Sequence, residues 1–291
     1  MASSNNCQST GGRKKPPWLD KPKNQWPKQL VFISFDAIGS TKLKTDLQND
    51  GQSNAIWAKS LVAFLAEATV IFKAKFSEKA GKCHKTQCKK QCSAAGYSDY
   101  PNIAVWKYVG DEVILTAELQ CEHQPHMLVH ATRETVGELN TRFRREDYKP
   151  TPDKALEFKA TMWVAGFPSA NIELALPGPD NRPLKDYFGP SIDLGFRLTK
   201  HATGARIVLS ASLVYLLQKY NSEADPAVKI YSGGNVQLKG IKKGEHPLFW
   251  VILKVLTKSQ AKNCFFQPVM TKTWVHFLSI TIRRIAQSRS F

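Results

Sequence analysis

The sequence predicts an α+β fold, with one sheet and flanking helices formed by a single domain over residues 28–255. Three observations carry this. Short apolar runs rich in β-formers alternate with longer segments of helical period. Two of the runs are joined by a tight hairpin. The chain has 291 residues, 42% of them hydrophobic, which is ample for one such core.

The elements follow in order. Leu30 to Phe35 is short, β-rich and too apolar to be exposed on either face, so it reads as a buried strand. Residues 53–77 place apolar side chains near a 3.6-residue period and read as a helix. Residues 78–100 form a Lys- and Cys-rich insertion. Ile103 to Leu119 reads as two strands around Val109-Gly110-Asp111, a tight hairpin. Residues 122–146 read as helix and Ala155 to Phe167 as strand. Pro177 to Pro183, dense in Pro, Gly, Asp and Asn, reads as a loop. Ser191 to Gly204 reads as a helix ending at the glycine. ARIVLS is a strand and ASLVYLLQKY a helix. Strands near Ala227–Tyr231, Val236–Lys239 and Pro247–Val255 close the core. Residues 1–27 are polar and basic and read as disordered, and residues 256–291 form a basic extension.

Composition narrows the function. The net charge of +17 invites a nucleic-acid partner, but residues 1–29, 73–99 and 256–291 carry +5, +5 and +6 of it. The excess lies in the tails and one insertion, so no nucleic-acid partner is expected. The most apolar long run, Ser60 to Phe76, contains Glu67, Lys73 and Lys75, which argues against a membrane span. The N-terminus has no apolar secretory core, and six cysteines then suggest reduced thiols in a cytoplasmic protein. Cys83, His84, Cys88, Cys92, Cys121 and His123 are zinc-type ligands, but their spacings are not those of a knuckle. A lysine-rich helical extension is the favoured reading there. The apolar-then-basic stretch Thr273 to Phe291 could touch a membrane or an effector, or pack on its own domain.

The chemistry centres on VFISFDAIGSTKLK and KYVGDE. Asp36 and Asp111 each stand where an apolar strand ends or turns. A carboxylate there is costly unless something compensates it. Two of them from adjacent strands would suit a hard cation whose shell is completed by substrate phosphates. Paired ions stabilise both the attacking and the leaving oxygens of a phosphoryl displacement. Gly39, Ser40 and Thr41 would offer N–H groups at a helix start, an anion seat. Taken singly, each Asp is equally an ordinary strand-end residue before an N-capped helix. Asp193 and Arg197 share a helix face, as a surface pair or as an Arg placed to meet charge on a phosphate. Lys239, Lys242 and Lys243 surround Gly240 and Gly244, as a basic turn or as a grip on a polyphosphate.

All of these occur together and in order, and the ordered set resembles the catalytic domain of class III nucleotidyl cyclases over about residues 29–254. FISFDAIGST resembles the family's first metal motif, with Ser40 where an aromatic is usual. KYVGDE resembles its second, and DYFGPSIDLGFR its Asp-x-x-Gly-x-x-x-Asn-x-x-x-Arg segment, with Asp193 in the Asn position. The resemblance implies a ferredoxin-like palm sheet and a head-to-tail homodimer with shared sites. It implies two Mg²⁺ or Mn²⁺ ions on Asp36, Asp111 and the Ile38 carbonyl. Gly39, Ser40, Thr41 and Lys239 would hold the triphosphate, Lys107 and Asp186 the base, and Arg197 and Asp193 would serve catalysis. The implied reaction turns a nucleoside triphosphate into a 3′,5′-cyclic nucleotide and pyrophosphate.

Lys107 and Asp186 are the types that adenylate cyclases use, which favours ATP. The details DAIGST, GPSIDLGFR and the closing FWVI are more similar to the stand-alone pyrimidine cyclases of bacterial Pycsar anti-phage systems. Those make cyclic UMP or cyclic CMP for a separately encoded effector. A smaller base needs a contracted pocket, which Trp106, Tyr108 and Phe188 could provide. The expectation is therefore a pyrimidine cyclase with UTP preferred. An adenylate cyclase is the alternative, and an inactive nucleotide-binding regulatory module the alternative outside enzymes.

Overall fold

The computed structural model describes residues 28–51, 54–83, 102–121, 123–145, 147–151, 154–178, 183–219, 228–240, 245–253 and 267–268. In chain order these form β1 (Lys28–Ile38), α1 (Ser40–Asn49), α2 (Asn54–Cys83), β2 (Ile103–Val109), β3 (Glu112–Glu118) and α3 (Gln124–Arg142). Then come β4 (Glu157–Phe167), β5 (Ile172–Leu176), β6 (Leu184–Phe188) and α4 (Pro190–Leu198), which ends in a 3₁₀ turn at Thr199–His201. The rest is β7 (Arg206–Leu209), α5 (Ala211–Lys219), β8 (Ile230–Val236), β9 (His246–Ile252) and β10 (Gln267–Pro268).

Eight strands form the main sheet in the order β10-β8-β9-β7-β4-β1-β3-β2, and β5 and β6 form a separate hairpin. β1 lies inside the sheet, antiparallel to β3 on one side and to β4 on the other. Its centre, Leu30–Phe35, is apolar apart from Ser34 because both faces are covered. Val31, Ile33 and Phe35 enter the larger core with α1, α2, α3 and α5. Leu30 and Phe32 face the other way, toward Trp163, Tyr187 and Ile192. There α4 lies against β4. β4 and β7 are parallel, and the chain between them carries the β5–β6 hairpin and α4.

The predicted α+β architecture stands, with changes of extent. β1 is longer at both ends than Leu30–Phe35, since pairing with β4 runs from Lys28 to Ile38. α2 continues through Cys83 and so absorbs the start of the segment read as an insertion; the remainder, 84–100, lies outside the described residues. Its stretch Ala55–Ala80 is long and apolar enough to cross a membrane by length and composition, contrary to the expectation from Ser60–Phe76. In the fold this stretch is a core helix. Phe64, Ala68, Phe72 and Phe76 are buried, and Glu67 is tied to α3 by Arg142 at 2.9 Å.

Three elements differ in kind. The β5–β6 hairpin was hidden by its loop, because five-residue strands around a Pro- and Gly-rich turn give too short an alternation to register. α4 stops at Leu198 rather than Gly204: the Thr199 hydroxyl bonds the Phe196 carbonyl, and the Ala202 N–H tightens onto Thr199. The strand expected at Val236–Lys239 does not form as a separate element, since Val236 is the last residue of β8. β8 spends two residues on an irregularity between Ser232 and Asn235, its pairing ends at Val236, and the chain turns at Lys239–Gly240. The N-terminal segment before Lys28, and the tail beyond β9 apart from Gln267–Pro268, lie outside the described residues, as do Lys242 and Lys243.

Candidate active site

One end of β1 gathers the first group. Asp36 lies across from Glu112 on β3 and from Lys159 on β4. Lys159 Nζ is 3.0 Å from Asp36 Oδ2, and each side chain is 20% exposed. The same ammonium donates to the Thr199 carbonyl at 3.4 Å, at the end of α4. Asp111 sits in the β2–β3 turn beside Gly110, whose φ of +63° makes the tight reversal possible. The Ala37 N–H bonds the Asp111 carbonyl at 3.2 Å, which fixes the turn against β1. The Ser40 hydroxyl donates to Asp111 Oδ2. Asp36, Asp111 and Ser40 are thus brought together, as the sequence predicts.

Electrostatics marks this as a strained group of carboxylates. Burial pushes the Asp36 carboxyl up from its ordinary range; Lys159 opposes the shift and Asp111 adds to it. Burial likewise raises Glu112, against the Ser34 hydroxyl that donates to it at 2.5 Å, while Asp36 and Asp111 add repulsion. Ile38 ends β1, opposite Glu157. Gly39 follows with φ +71° as the N-cap of α1; it is exposed, as is Thr41, while Ser40 is buried. Among the described residues no three Asp, Glu, His or Cys side chains converge as a metal cage. Mg²⁺ needs only one or two carboxylates when substrate phosphates fill its shell. Lys159 already places a positive charge on Asp36, so the donor pair fits a cation.

The second group forms where β2 meets the β5–β6 hairpin. Lys107 Nζ and Asp186 Oδ1 are 2.8 Å apart. Trp106 Nε1 and the Tyr187 N–H reach the same oxygen at 3.0 and 2.9 Å. Burial acts to raise Asp186, but Lys107 and these N–H donors outweigh it and hold its carboxyl below the usual range. The Trp106 ring packs against Phe32, Tyr187 and Phe196. Tyr108 and Phe188, expected to contract a pocket, are 54% and 47% exposed.

The third group lies on α4. Asn171, fully buried, accepts the Ser191 N–H at 3.1 Å and donates to the Gly166 carbonyl at 2.9 Å, so the first turn of α4 is fastened to the end of β4. Gly189 is required beside it: a Cβ there would lie 2.6 Å from Asn171 Oδ1, at a φ of +136°. Gly195 lets α4 lie flat on Trp163, since a Cβ would come within 2.3 Å of the indole. Asp193 is exposed in the first turn. Arg197 donates from Nε to the Lys239 carbonyl at 2.5 Å, which brings these two together. The side chain of Gly240, were there one, would lie 3.2 Å from Arg197 Nη2.

Among the described residues no hydrogen bond or ion pair joins Asp36 or Asp111 to Lys107, Asp186, Arg197 or Lys239. Sequence reasoning missed Lys159, Asn171 and the Trp106 bond. Lys159 had a signal, as the single cation in the apolar strand β4. Of the zinc-type ligands, His84, Cys88 and Cys92 lie outside the described residues, and Cys121 forms no disulfide among the described residues.

Comparison with protein-family models finds no match, and comparison with curated proteins finds none. Solved structures do match. The adenylyl cyclase CyaB from P. aeruginosa superposes with a TM-score of 0.51 at 17% identity, over 81% of this chain and 97% of that one. The guanylate cyclase domain of RhGC from Catenaria anguillulae, in complex with GTP, gives 0.50 at 12% identity, over 78% and 97%. A bacterial light-regulated adenylyl cyclase gives 0.50 at 12%, over 78% and 52%. An α+β sheet with its helices and hairpins in this arrangement is the class III nucleotidyl cyclase fold, and the chain has that fold.

Proposed function

We propose that the protein is a nucleotidyl cyclase that converts a nucleoside triphosphate into a 3′,5′-cyclic nucleotide and pyrophosphate. The observation that carries this is the pairing of Asp36 and Asp111 at the β1 end of a cyclase fold, close enough to repel each other. When bound, two Mg²⁺ or Mn²⁺ ions supply the charge neutralisation that in-line attack of the 3′-hydroxyl on the α-phosphate requires. Asp36, Asp111 and the Ile38 carbonyl would hold them. The N–H groups of Gly39, Ser40 and Thr41, with the Lys239 ammonium, hold the triphosphate. Arg197, anchored through Nε, turns its Nη nitrogens to the charge that develops on phosphorus. Asp193, in the first turn of α4, faces the ribose.

The functional unit is a head-to-tail homodimer, in which the aspartates of one subunit meet Lys107, Asp186 and Arg197 of the other. The absence of any bond between the two sets among the described residues supports this. So do the exposed apolar side chains of Tyr108, Val109, Ile172, Leu174 and Leu184.

The substrate is a pyrimidine triphosphate, UTP ahead of CTP. The Trp106 indole supports this, because it crowds the carboxylate that would read the base. Its product would act as an anti-phage messenger on a separate effector, a reading that rests on the DAIGST, GPSIDLGFR and FWVI segments. The Lys107–Asp186 pair favours ATP as the second reading. Incubation with Mn²⁺ and each of ATP, GTP, CTP and UTP, followed by mass spectrometry, tests both. Cyclic UMP should dominate. A cyclic purine alone would overturn the pyrimidine reading, and no cyclic product from any of the four would overturn the enzyme.

A further inference from the structure

We infer that Lys159 is a built-in counter-cation that occupies the Asp36 carboxylate in the ion-free protein and competes with the first divalent ion to arrive. The inference rests on the metal-site reading above. Four observations lead to it. Lys159 is the one cation on β4, a largely apolar strand that lies beside β1. Its ammonium meets Asp36 Oδ2 at 3.0 Å, with both side chains four-fifths buried. Asp36 lies at the largely buried end of β1 with Asp111 held beside it by the Ala37 N–H, so an unaccompanied charge there is costly. Finally, the ammonium has a second acceptor ready, the Thr199 carbonyl at 3.4 Å.

A buried carboxylate left without a counter-charge is costly. Lys159 removes that cost when no ion is present. An ion that binds Asp36 must take its place, and the ammonium then keeps the Thr199 carbonyl as its partner. The residue therefore weakens ion binding in the absence of nucleotide. The ion is held firmly only when triphosphate oxygens complete its shell. Lys159 is a positioning residue here, acting through Asp36 rather than on substrate.

The test is Mn²⁺ binding to the full chain without nucleotide, followed by calorimetry and by the loss of the free-ion electron paramagnetic resonance signal. Lys159→Met keeps the alkyl stem and removes the charge. It should bind Mn²⁺ at least about fivefold more tightly than the parent, the equivalent of a partly exposed ion pair. Lys159→Arg keeps the charge and should bind as weakly as the parent. Lys79→Met removes a distant charge, one paired with Glu134 on α3, and should change nothing. Asp36→Asn should abolish binding in either background. Unchanged or weaker binding in Lys159→Met, with Asp36→Asn still null, overturns the role of Lys159 while leaving the metal site standing. Parental binding in Asp36→Asn overturns the metal site itself, and this inference with it. A cooperative melt for each variant shows that the comparison is between folded proteins.

Discussion

Replacing Gly195 by alanine should cost far more activity than stability. The added Cβ would lie 2.3 Å from Trp163 Cδ2 and Cε2 and 2.6 Å from Cγ. Carbon atoms in contact settle at about 3.5–4.0 Å, so the gap must open by more than about 1 Å. Trp163 has nowhere to go: it is fully buried and stacks on Phe32 with centroids 5.4 Å apart. α4 must therefore lift, while Asn171 holds its first turn and the buried Ile192 and Leu198 resist. Overpacking of this kind costs about 1–3 kcal/mol, and the better helix propensity of alanine returns about 1 kcal/mol. The melting temperature should thus fall by only a few degrees. Arg197 lies half a turn further along the displaced helix, and a misplacement of about 1 Å at a reacting group can cost about 10²-fold in rate. The assay is cyclic product per minute at saturating Mn²⁺ and triphosphate, read beside a thermal melt. Turnover within twofold of the parent would refute the claim that Gly195 sets the height of Arg197.

The remaining predictions concern the carboxylates, the base contacts and pH. Asp36→Asn should abolish cyclic product and leave a folded protein; retained turnover would remove Asp36 from the metal site. Trp106→Phe keeps the ring but deletes the N–H bonded to Asp186, and should raise the KM for the preferred triphosphate about tenfold with kcat little changed. An unchanged KM would show that the indole has no part in reading the base. His246 is held below its ordinary pKa by burial, and its Nε2 has no hydrogen-bond partner. The unfolded chain therefore takes up a proton near the ordinary value of about 6.5 that the folded chain refuses. Stability falls as pH drops through that value and continues to fall until the depressed folded pKa is reached. His246→Phe should flatten part of the loss in melting temperature between about pH 7 and pH 5.5. The shallower part that remains belongs in part to His201, which burial and Arg206 also depress. A mutant profile parallel to the parent's would dismiss His246 as its source.

Much of this was legible in the sequence because the signals are local. An apolar run ending in Asp36, a hairpin at Gly110-Asp111 and an Asp-to-Arg spacing on one helix all survive without knowledge of neighbours. Lys107 and Asp186 were grouped by motif order, and the fold brings them into contact; the bond from Arg197 to the Lys239 carbonyl joins two residues that the sequence had given separate roles. What escaped notice depends on strand order. Nothing local says that β4 lies beside β1, so Lys159 was not singled out as the partner of Asp36. Asn171 was not singled out, because its bonds run to Gly166 and Ser191 and only tertiary contact creates them. The strand expected at Val236–Lys239 failed for the opposite reason. Its β-propensity is real, but Gly233 and Gly234 break the register first. A Cβ at Gly233 would strike the Trp250 ring at 2.0 Å, and Gly234 has a φ of +74°.

The β5–β6 hairpin stands apart from the main sheet, and it carries Asp186 while β1 and the β2–β3 turn carry Asp36 and Asp111. It is moored by the buried Tyr187 ring, packed on Phe32, Trp106 and Phe167, and by polar ties from Lys28 to Glu173 and from Lys107 and Trp106 to Asp186, rather than by a sheet ladder. Selection can therefore rework the hairpin's exposed strand residues, with Tyr187 kept in the core, without disturbing the register that places the aspartates. If the proposed function holds, base preference would be the first property to drift in a lineage under pressure to change its signalling molecule, and the phosphoryl chemistry the last.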